Sequence, residues 1–288
     1  MLYRDVLNTD LLDLNILPAP ELLQRICVRP PYFALEQLRY QAGVLSAVAT
    51  SASSDGPEYG PMPGAELSRH AAIAGLSVAA MAQSDDHRRY YLAQEARYSG
   101  TLNRAPLGTP VHLTAELISL DKRQARSRIV ATADGAPLAE VEVSYTILTD
   151  SAFSRLFRNR YQPHFSAAAL TEILPLPLGQ VRQEGALLVR EVDQVPAGSC
   201  AGHFDGYPAM PVAILMGQLA ELAGQALGQP FHISEATVRA SDFCWAGEAA
   251  RFEVTAGLTT PHSTGFTCAA FADERAIGQM ELTLVPLR

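Results

Sequence analysis

The stretch that decides the fold runs from residue 202 to residue 227. It reads Gly-His-Phe-Asp-Gly-Tyr-Pro-Ala-Met-Pro (202–211) and then Val-Ala-Ile-Leu-Met-Gly-Gln-Leu-Ala-Glu-Leu-Ala-Gly-Gln-Ala-Leu (212–227). Gly and Pro residues punctuate the first part around His203, which predicts a loop. The second part has the length and the apolar density of a helix that is buried on nearly all sides. We therefore expect a loop that presents a histidine and leads directly into a buried helix.

The first half of the chain repeats this order. Tyr59 and Met62-Pro63 precede Tyr207 and Met210-Pro211 by 148 positions. Beyond the helices the spacing becomes 139 positions and stays there, as in the pairs Gly108 and Gly247, Asp134 and Asp273, and Glu142 and Glu281. A constant spacing with one change of length between helix and next strand is typical of a duplicated domain.

The elements expected in each half are one buried helix and a set of antiparallel strands. In the first half, a strand-like segment over Tyr32–Thr50 and a loop over Ser51–Gly64 precede a helix over Ala65–Ala82. Alternating patterns and turn residues predict the strands Tyr90–Gly100, Pro110–Leu120, Arg123–Ala133 and Ala136–Leu148, and then His232–Ala240, Glu248–Gly257, Thr264–Ala272 and Arg275–Leu287. The fold class is therefore α+β.

Composition narrows the class of function. The chain has 288 residues, 48% of them hydrophobic, and a formal net charge of −8. That charge argues against nucleic acid or an anionic membrane as a partner. We expect a cytoplasmic protein with no leader and no membrane span, because no apolar run is long enough to cross a bilayer. The cysteines, Cys27, Cys200, Cys244 and Cys268, are too scattered for a metal site, and no cofactor is expected.

Residues 202–211 resemble the central motif of the β-hydroxyacyl-carrier-protein dehydratases, which reads roughly His-Phe-Pro-Gly-x-Pro-x-x-Pro-Gly. Residues 128–142, Arg-Ile-Val-Ala-Thr-Ala-Asp-Gly-Ala-Pro-Leu-Ala-Glu-Val-Glu, look like the final hairpin of that family. The resemblance implies the hotdog fold, in which a curved antiparallel sheet wraps one long helix. It implies a tandem double hotdog that forms an intrachain pseudo-dimer, with an arm (1–30), a first hotdog domain (31–150), a linker (151–179) and a second hotdog domain (180–288).

The same resemblance implies where the catalytic groups lie. The family uses a His from one hotdog and, fourteen residues after the equivalent His, an acid on the helix of the partner. One candidate site would pair His203 with Arg69, which occupies the acid position of the first helix, and with Glu66 and His70. The other would pair Asp55, which replaces the His, with Gly217, which replaces the acid. Gly206, Tyr207, Pro211 and Gln218 complete the expected substrate-binding residues together with Asp55, Arg69 and Gly217.

Three functions remain open. The first is dehydration of a 3-hydroxyacyl thioester, with His203 as the base and Glu66, Arg69 or His70 assisting. The second is thioester hydrolysis, with Glu221 activating water, although a buried carboxylate in an apolar helix also suits a purely structural hydrogen bond. The third is a degenerate hotdog that binds acyl chains or a partner without catalysis. The expected partner is a thioester of acyl carrier protein or coenzyme A, and two double hotdogs could form a homo-dimer.

Overall fold

The computed structural model describes residues 14–52, 56–166 and 169–287. Within these residues the helices are α1 (Ala19–Arg25), α2 (Gly64–Met81), α3 (Asp150–Leu156) and α4 (Val212–Leu227). The strands are β1 (Asn15–Ile16), β2 (Glu36–Gln41), β3 (Val44–Ala49), β4 (Arg89–Gly100), β5 (Val111–Leu120), β6 (Gln124–Ala133), β7 (Ala136–Thr149), β8 (Arg182–Glu184), β9 (Leu187–Val192), β10 (Phe231–Ala240), β11 (Ala250–Thr259), β12 (Thr264–Ala272) and β13 (Arg275–Pro286).

The two long helices lie where the apolar pattern places them. Each begins directly after a proline, whose ring fits the start of a helix but interrupts its interior. The predicted bounds of α2 differ from the observed ones by one residue at each end, and those of α4 are the observed ones. Gly228 ends α4 in the left-handed conformation, with φ at 71°, and its N–H donates to the carbonyl oxygen of Gly224.

All described strands belong to one antiparallel sheet. Their order is β1-β2-β3-β5-β6-β7-β4-β10-β13-β12-β11-β9-β8. β4 and β10 pair at the centre, where Ala96 lies opposite Val238 and Tyr98 lies opposite Ala236. From this pair outward, the strands of the second half repeat the order of the first half as its mirror image.

The sheet differs from the prediction in two respects. We expect each helix to have its own sheet, but the sheet is continuous, because β4 and β10 satisfy each other's free edge hydrogen bonds. The hairpin of β8 and β9, which pairs with β11, was not predicted at all. The equivalent element in the first half is the hairpin of β2 and β3. It pairs with β5 and lies within the predicted strand-like segment.

The helices pack on the sheet side by side. α2 contacts β3 to β7, α4 contacts β9 to β13, and the two helices contact each other. Two hydrophobic cores result, one around each helix, and the side chain of Tyr98 on β4 packs against both. The space between the helices therefore opens over the central pair of strands.

Residues of the predicted arm and linker pack in the interior where the structure describes them. Leu22 and Ile26 of the arm are fully buried in the first core. Phe153 of α3, at the start of the linker, is fully buried in an aromatic cluster with Tyr90 and Phe204. No helix in the described ranges is long and apolar enough to cross a membrane.

Candidate functional site

A cavity of about 200 Å³ lies between α2 and α4 and above β4 and β10. Its wall is mostly apolar. The polar side chains that line it among the described residues are Tyr32, Ser68, Tyr91, Gln94, Tyr98, Tyr145, His203, Ser241 and Asp242. A largely apolar cavity with a few polar groups is the usual form of a small-molecule site.

His203 lies in the wall of this cavity with its ring orientation fixed. Its Nδ1 lies 2.8 Å from the carbonyl oxygen of Ala209. Because a carbonyl oxygen can only accept, Nδ1 carries the hydrogen and Nε2 keeps a free lone pair. The ring of Phe204 stacks on the imidazole at 3.8 Å between centroids. His203 is therefore held as an acceptor at Nε2.

Burial keeps this imidazole neutral. Loss of hydration lowers the pKa of His203 from 6.5 to about 4, and the hydrogen bond to Ala209 offsets this only in part. A neutral imidazole can accept a proton, so His203 is available as a base at neutral pH.

Tyr32, two residues after the predicted arm, completes the surroundings of His203, with its ring centroid 5.4 Å from that of the imidazole. The arm reaches this place because it crosses Gly202 closely. The N–H of Arg29 donates to the carbonyl oxygen of Gly202 at 2.7 Å. A Cβ at Gly202 would lie 2.3 Å from the carbonyl oxygen of Arg29, and its φ is 72°, so only glycine fits there.

Arg69 lies on the other side of Tyr32, with Cζ 5.5 Å from the ring centroid. A guanidinium can only donate, so one of its nitrogens donates to Nε2 of His70 at 3.0 Å. Burial lowers the pKa of this imidazole. The same guanidinium nitrogen lies 3.4 Å from Glu66, whose carboxylate also accepts from Ser51 Oγ at 2.6 Å. Tyr32 thus contacts both His203 and Arg69, whereas Glu66, Arg69 and His70 do not line the cavity themselves.

Glu221 does not join this site. It is 44% exposed, pairs with Arg190 at 2.9 Å and does not line the cavity. The expectation that Glu221 activates water therefore lacks the necessary geometry: its side of α4 faces Arg190 on β9 instead of the cavity. Gln218, one turn earlier, does not line the cavity either, and its Oε1 is buried without a partner in the described part of the chain.

The other predicted binding residues surround the site without lining the cavity. Gly206 and Tyr207 lie under the linker, where the N–H of Gln162 donates to the carbonyl oxygen of Gly206 at 2.8 Å. Pro211 precedes α4. Asp55 lies outside the described residues.

Gly217 faces the first turn of α2. A Cβ there would lie 3.4 Å from Cβ of Ala65 and would meet nothing else within 4 Å. We therefore expect Gly217→Ala to raise the free energy of unfolding by about 0.5–1 kcal/mol, because a helix with alanine in its interior is more stable by that amount than one with glycine. Urea unfolding of the variant and the parent measures the difference.

Gly224→Ala in the same helix is the matched control. Its Cβ would lie 2.3 Å from the ring of Phe231, so we expect a loss of about 1–3 kcal/mol from overpacking. A destabilised Gly217→Ala variant would show that the two helices pack more tightly at this point than these distances imply.

Of the polar side chains that line the cavity, sequence reasoning predicted only His203; Tyr32 and Asp242, and Glu58 behind the wall, are among those it missed. Tyr32 follows Pro30-Pro31 at the start of the first predicted hotdog domain, and only the fold brings it to His203. Asp242 lines the cavity but pairs with Arg275. Glu58 precedes α2 and its carboxylate accepts from the N–H of Gly64 at 2.7 Å. The signal available for Glu58 was its position next to Tyr59, the counterpart of Tyr207 in the repeat.

In the described ranges, no group of three or more His, Cys, Asp or Glu residues could hold a metal ion.

Comparison with known proteins gives likeness in structure only. No family model matches the chain, and no curated protein matches its sequence. The tesB protein of Mycobacterium avium subsp. paratuberculosis is 12% identical, with a TM-score of 0.59 over 88% of this chain and 96% of that protein. The 12:0-ACP thioesterase of Umbellularia californica is 10% identical, with a TM-score of 0.55 over 85% of this chain and 94% of that one.

A protein of unknown function from Alicyclobacillus acidocaldarius, described as having a hotdog fold, is 8% identical, with a TM-score of 0.53 over 87% of this chain and 96% of that one. At such low identity these likenesses establish the architecture alone. The chain has the hotdog fold.

Proposed function

We propose that the protein hydrolyses an acyl thioester in the cavity between α2 and α4, with His203 as the base that activates water. The observation that carries this proposal is the neutral imidazole that Ala209 holds in the wall of an apolar cavity. The likeness to the 12:0-ACP thioesterase supports an acyl thioester as the substrate, carried on coenzyme A or acyl carrier protein.

The cavity suits an alkyl chain. Small side chains from both helices and both central strands keep it open: Ala65, Ala72, Ala213 and Ala220 on the helices, and Ala93, Ala96, Ala236 and Ala240 on the strands. Each CH₂ group removed from water contributes about 0.8 kcal/mol to binding. An acyl chain bound here would lie between the two halves of the chain.

Hydrolysis requires a base and a site for the developing oxyanion. Nε2 of His203 accepts a proton from water while the water oxygen bonds to the carbonyl carbon. The C–S bond then breaks, and the imidazolium returns its proton to the thiolate sulfur. The first turns of both helices reach the cavity at Ala65, Val212 and Ala213. Their free N–H groups and the positive ends of the helix dipoles would stabilise the oxyanion.

Hydrolysis fits the site better than dehydration. Dehydration needs, in addition to the base, an acid that protonates the departing hydroxyl. Arg69 occupies the position of that acid, and a guanidinium does not give up its proton. Arg69 instead acts as a positioning residue, since its charge packs on the face of Tyr32, which contacts His203.

We expect the purified chain to release free thiol from acyl-coenzyme A, with a preference among short, medium and long acyl chains that reflects the cavity. A thiol-reactive chromophore measures the release. The same preparations are tested with 3-hydroxyacyl-coenzyme A for absorbance of the enoyl thioester. Enoyl formation without thiol release would favour dehydration, and neither product with any chain would favour acyl binding without catalysis.

We also infer a tandem of two hotdog units, residues 31–150 and 180–288, that form a pseudo-dimer within one chain. The mirrored strand order and the 148- and 139-residue spacings support this division. The sequence prediction that two such chains form a homo-dimer stays a prediction.

A further inference from the structure

Glu58 is a partly buried acid that the proposed reaction of His203 does not use. Its loop is fixed to the start of β10, because the N–H of Tyr59 donates to the carbonyl oxygen of Phe231 at 2.7 Å and the N–H of Phe231 donates to that of Pro57 at 3.0 Å. The N–H of Gly64, the first residue of α2, donates to Oε1 at 2.7 Å. Both the backbone and the carboxylate of Glu58 are therefore held in place.

Glu58 itself does not line the cavity, but its carboxylate lies directly behind residues that do. The position of a Cβ on Gly64 would be 3.0 Å from Oε1 of Glu58, 3.0 Å from Cδ1 of Ile233 and 3.7 Å from the hydroxyl of Tyr98. Gly64, Tyr98 and Ile233 all line the cavity. Because residue 64 has no side chain, little separates the carboxylate from the cavity.

The surroundings hold this carboxyl between its two protonation states. Burial raises its pKa from 4.5 to about 7, and the bond from Gly64 offsets only part of this rise. Phe231 and Ile233 of β10 and the phenol of Tyr98 on β4 lie beside Glu58, and the titratable residue between the first two is His232, whose pKa burial lowers. No ion pair in the described part of the chain includes Glu58. A carboxylate that only capped the start of α2 could do so from the protein surface, without the free-energy cost of losing its hydration. Capping alone therefore does not explain why Glu58 lies inside.

The internal repeat places Glu58 in the counterpart of the His203 loop. Position 55 corresponds to His203 by the 148-residue spacing, and Glu58 follows it by three residues. From the contacts around Gly64 and this correspondence, we propose that Glu58 is the proton-transfer group of a second reaction centre in the same cavity, with Tyr98 beside it. This inference rests on the proposed hydrolysis of acyl thioesters.

The step at this centre matches the first one chemically. Ionised Glu58 takes a proton from water while the water oxygen bonds to the thioester carbonyl carbon. The C–S bond breaks, and the proton passes from the carboxyl to the thiolate sulfur. A carboxyl that titrates near neutral pH can perform both transfers.

The pH dependence of thiol release separates the two centres in the full chain. We expect the wild type to show two increases in rate, one as His203 deprotonates and one as Glu58 deprotonates. His203→Asn retains only the upper increase, Glu58→Gln retains only the lower one, and the double variant retains neither. The glutamine oxygen still accepts from Gly64, so the loop keeps its anchor. Glu235→Gln, which changes an exposed acid on β10, serves as the control and leaves both increases.

A Glu58→Gln profile that superimposes on that of the wild type would overturn the proposal. A second measurement does not depend on turnover. The infrared signal of the Glu58 carboxyl is identified by its loss in Glu58→Gln. Its titration midpoint is then measured with and without a non-hydrolysable thioether analogue of acyl-coenzyme A. A shifted midpoint supports the proposal. An unchanged midpoint, or an analogue that does not bind, overturns it. Absence of thiol release from the wild type refutes the proposed function, and this titration then decides on Glu58 alone.

Discussion

His203→Asn is expected to lower the rate of thiol release by about 10²–10⁴-fold when it is measured near pH 5.5, the range over which a general base contributes. Asparagine keeps an N–H that can donate to the carbonyl oxygen of Ala209 and removes the lone pair of Nε2. At this pH the wild-type imidazole is neutral, because its pKa is about 4. Glu58 is mainly protonated there, because its pKa is about 7. The rate therefore reports His203 alone.

His232→Asn is the matched control for this measurement. Burial also lowers the pKa of His232, but this residue does not line the cavity. We expect its rate to equal that of the wild type. Full activity of His203→Asn near pH 5.5, with a control that behaves as expected, would remove His203 from the reaction.

The helices and most strands could be predicted because local patterns determine them. The apolar runs of α2 and α4 and the alternation in β4 to β7 are readable within a short window. The turn at Asp134-Gly135 has both residues at positive φ, as a tight hairpin requires. The short hairpin of β8 and β9 has too few alternating residues to stand out from its surroundings.

The pairing of β4 with β10 could not be predicted from such patterns. Both strands alternate in the usual way, but which edge meets which depends on residues that are far apart in sequence. Glu95 and Arg239, which are paired in the sheet, are an example. The sequence supports two repeated units and carries no local signal for one continuous sheet.

The site was predictable only where its residues lie in one segment. His203 stands in a Gly- and Pro-rich loop, so its presentation could be inferred from the segment itself. Tyr32 and Glu58 reach the cavity region through contacts with Gly202 and Phe231, which are distant in sequence. The contact of Glu221 with Arg190 was not predictable, because the helical period gives the relative position of Glu221 on α4 but not which residue lies opposite.

Opposite pH dependences of stability are the second large effect that we expect, one from Glu58 and one from His203. The pKa of Glu58 is raised from 4.5 to about 7. Its contribution to stability is complete below its ordinary pKa and is lost as the pH rises through about 7. The pKa of His203 is lowered from 6.5 to about 4, so its contribution is complete above pH 6.5 and is lost as the pH falls through about 4. Each amounts to about 3 kcal/mol.

These two contributions cancel in the wild type where their pH ranges overlap. Glu58→Gln leaves the His203 contribution alone, so its free energy of unfolding should rise relative to the wild type between about pH 4.5 and pH 7. His203→Asn leaves the Glu58 contribution alone, so its free energy of unfolding should fall relative to the wild type between about pH 4 and pH 6.5. Urea unfolding of all three proteins at several pH values measures both differences. Because other titrating groups are common to the three proteins, the differences isolate these two side chains. Parallel curves for Glu58→Gln and the wild type would mean that the Glu58 carboxyl is hydrated in the folded chain.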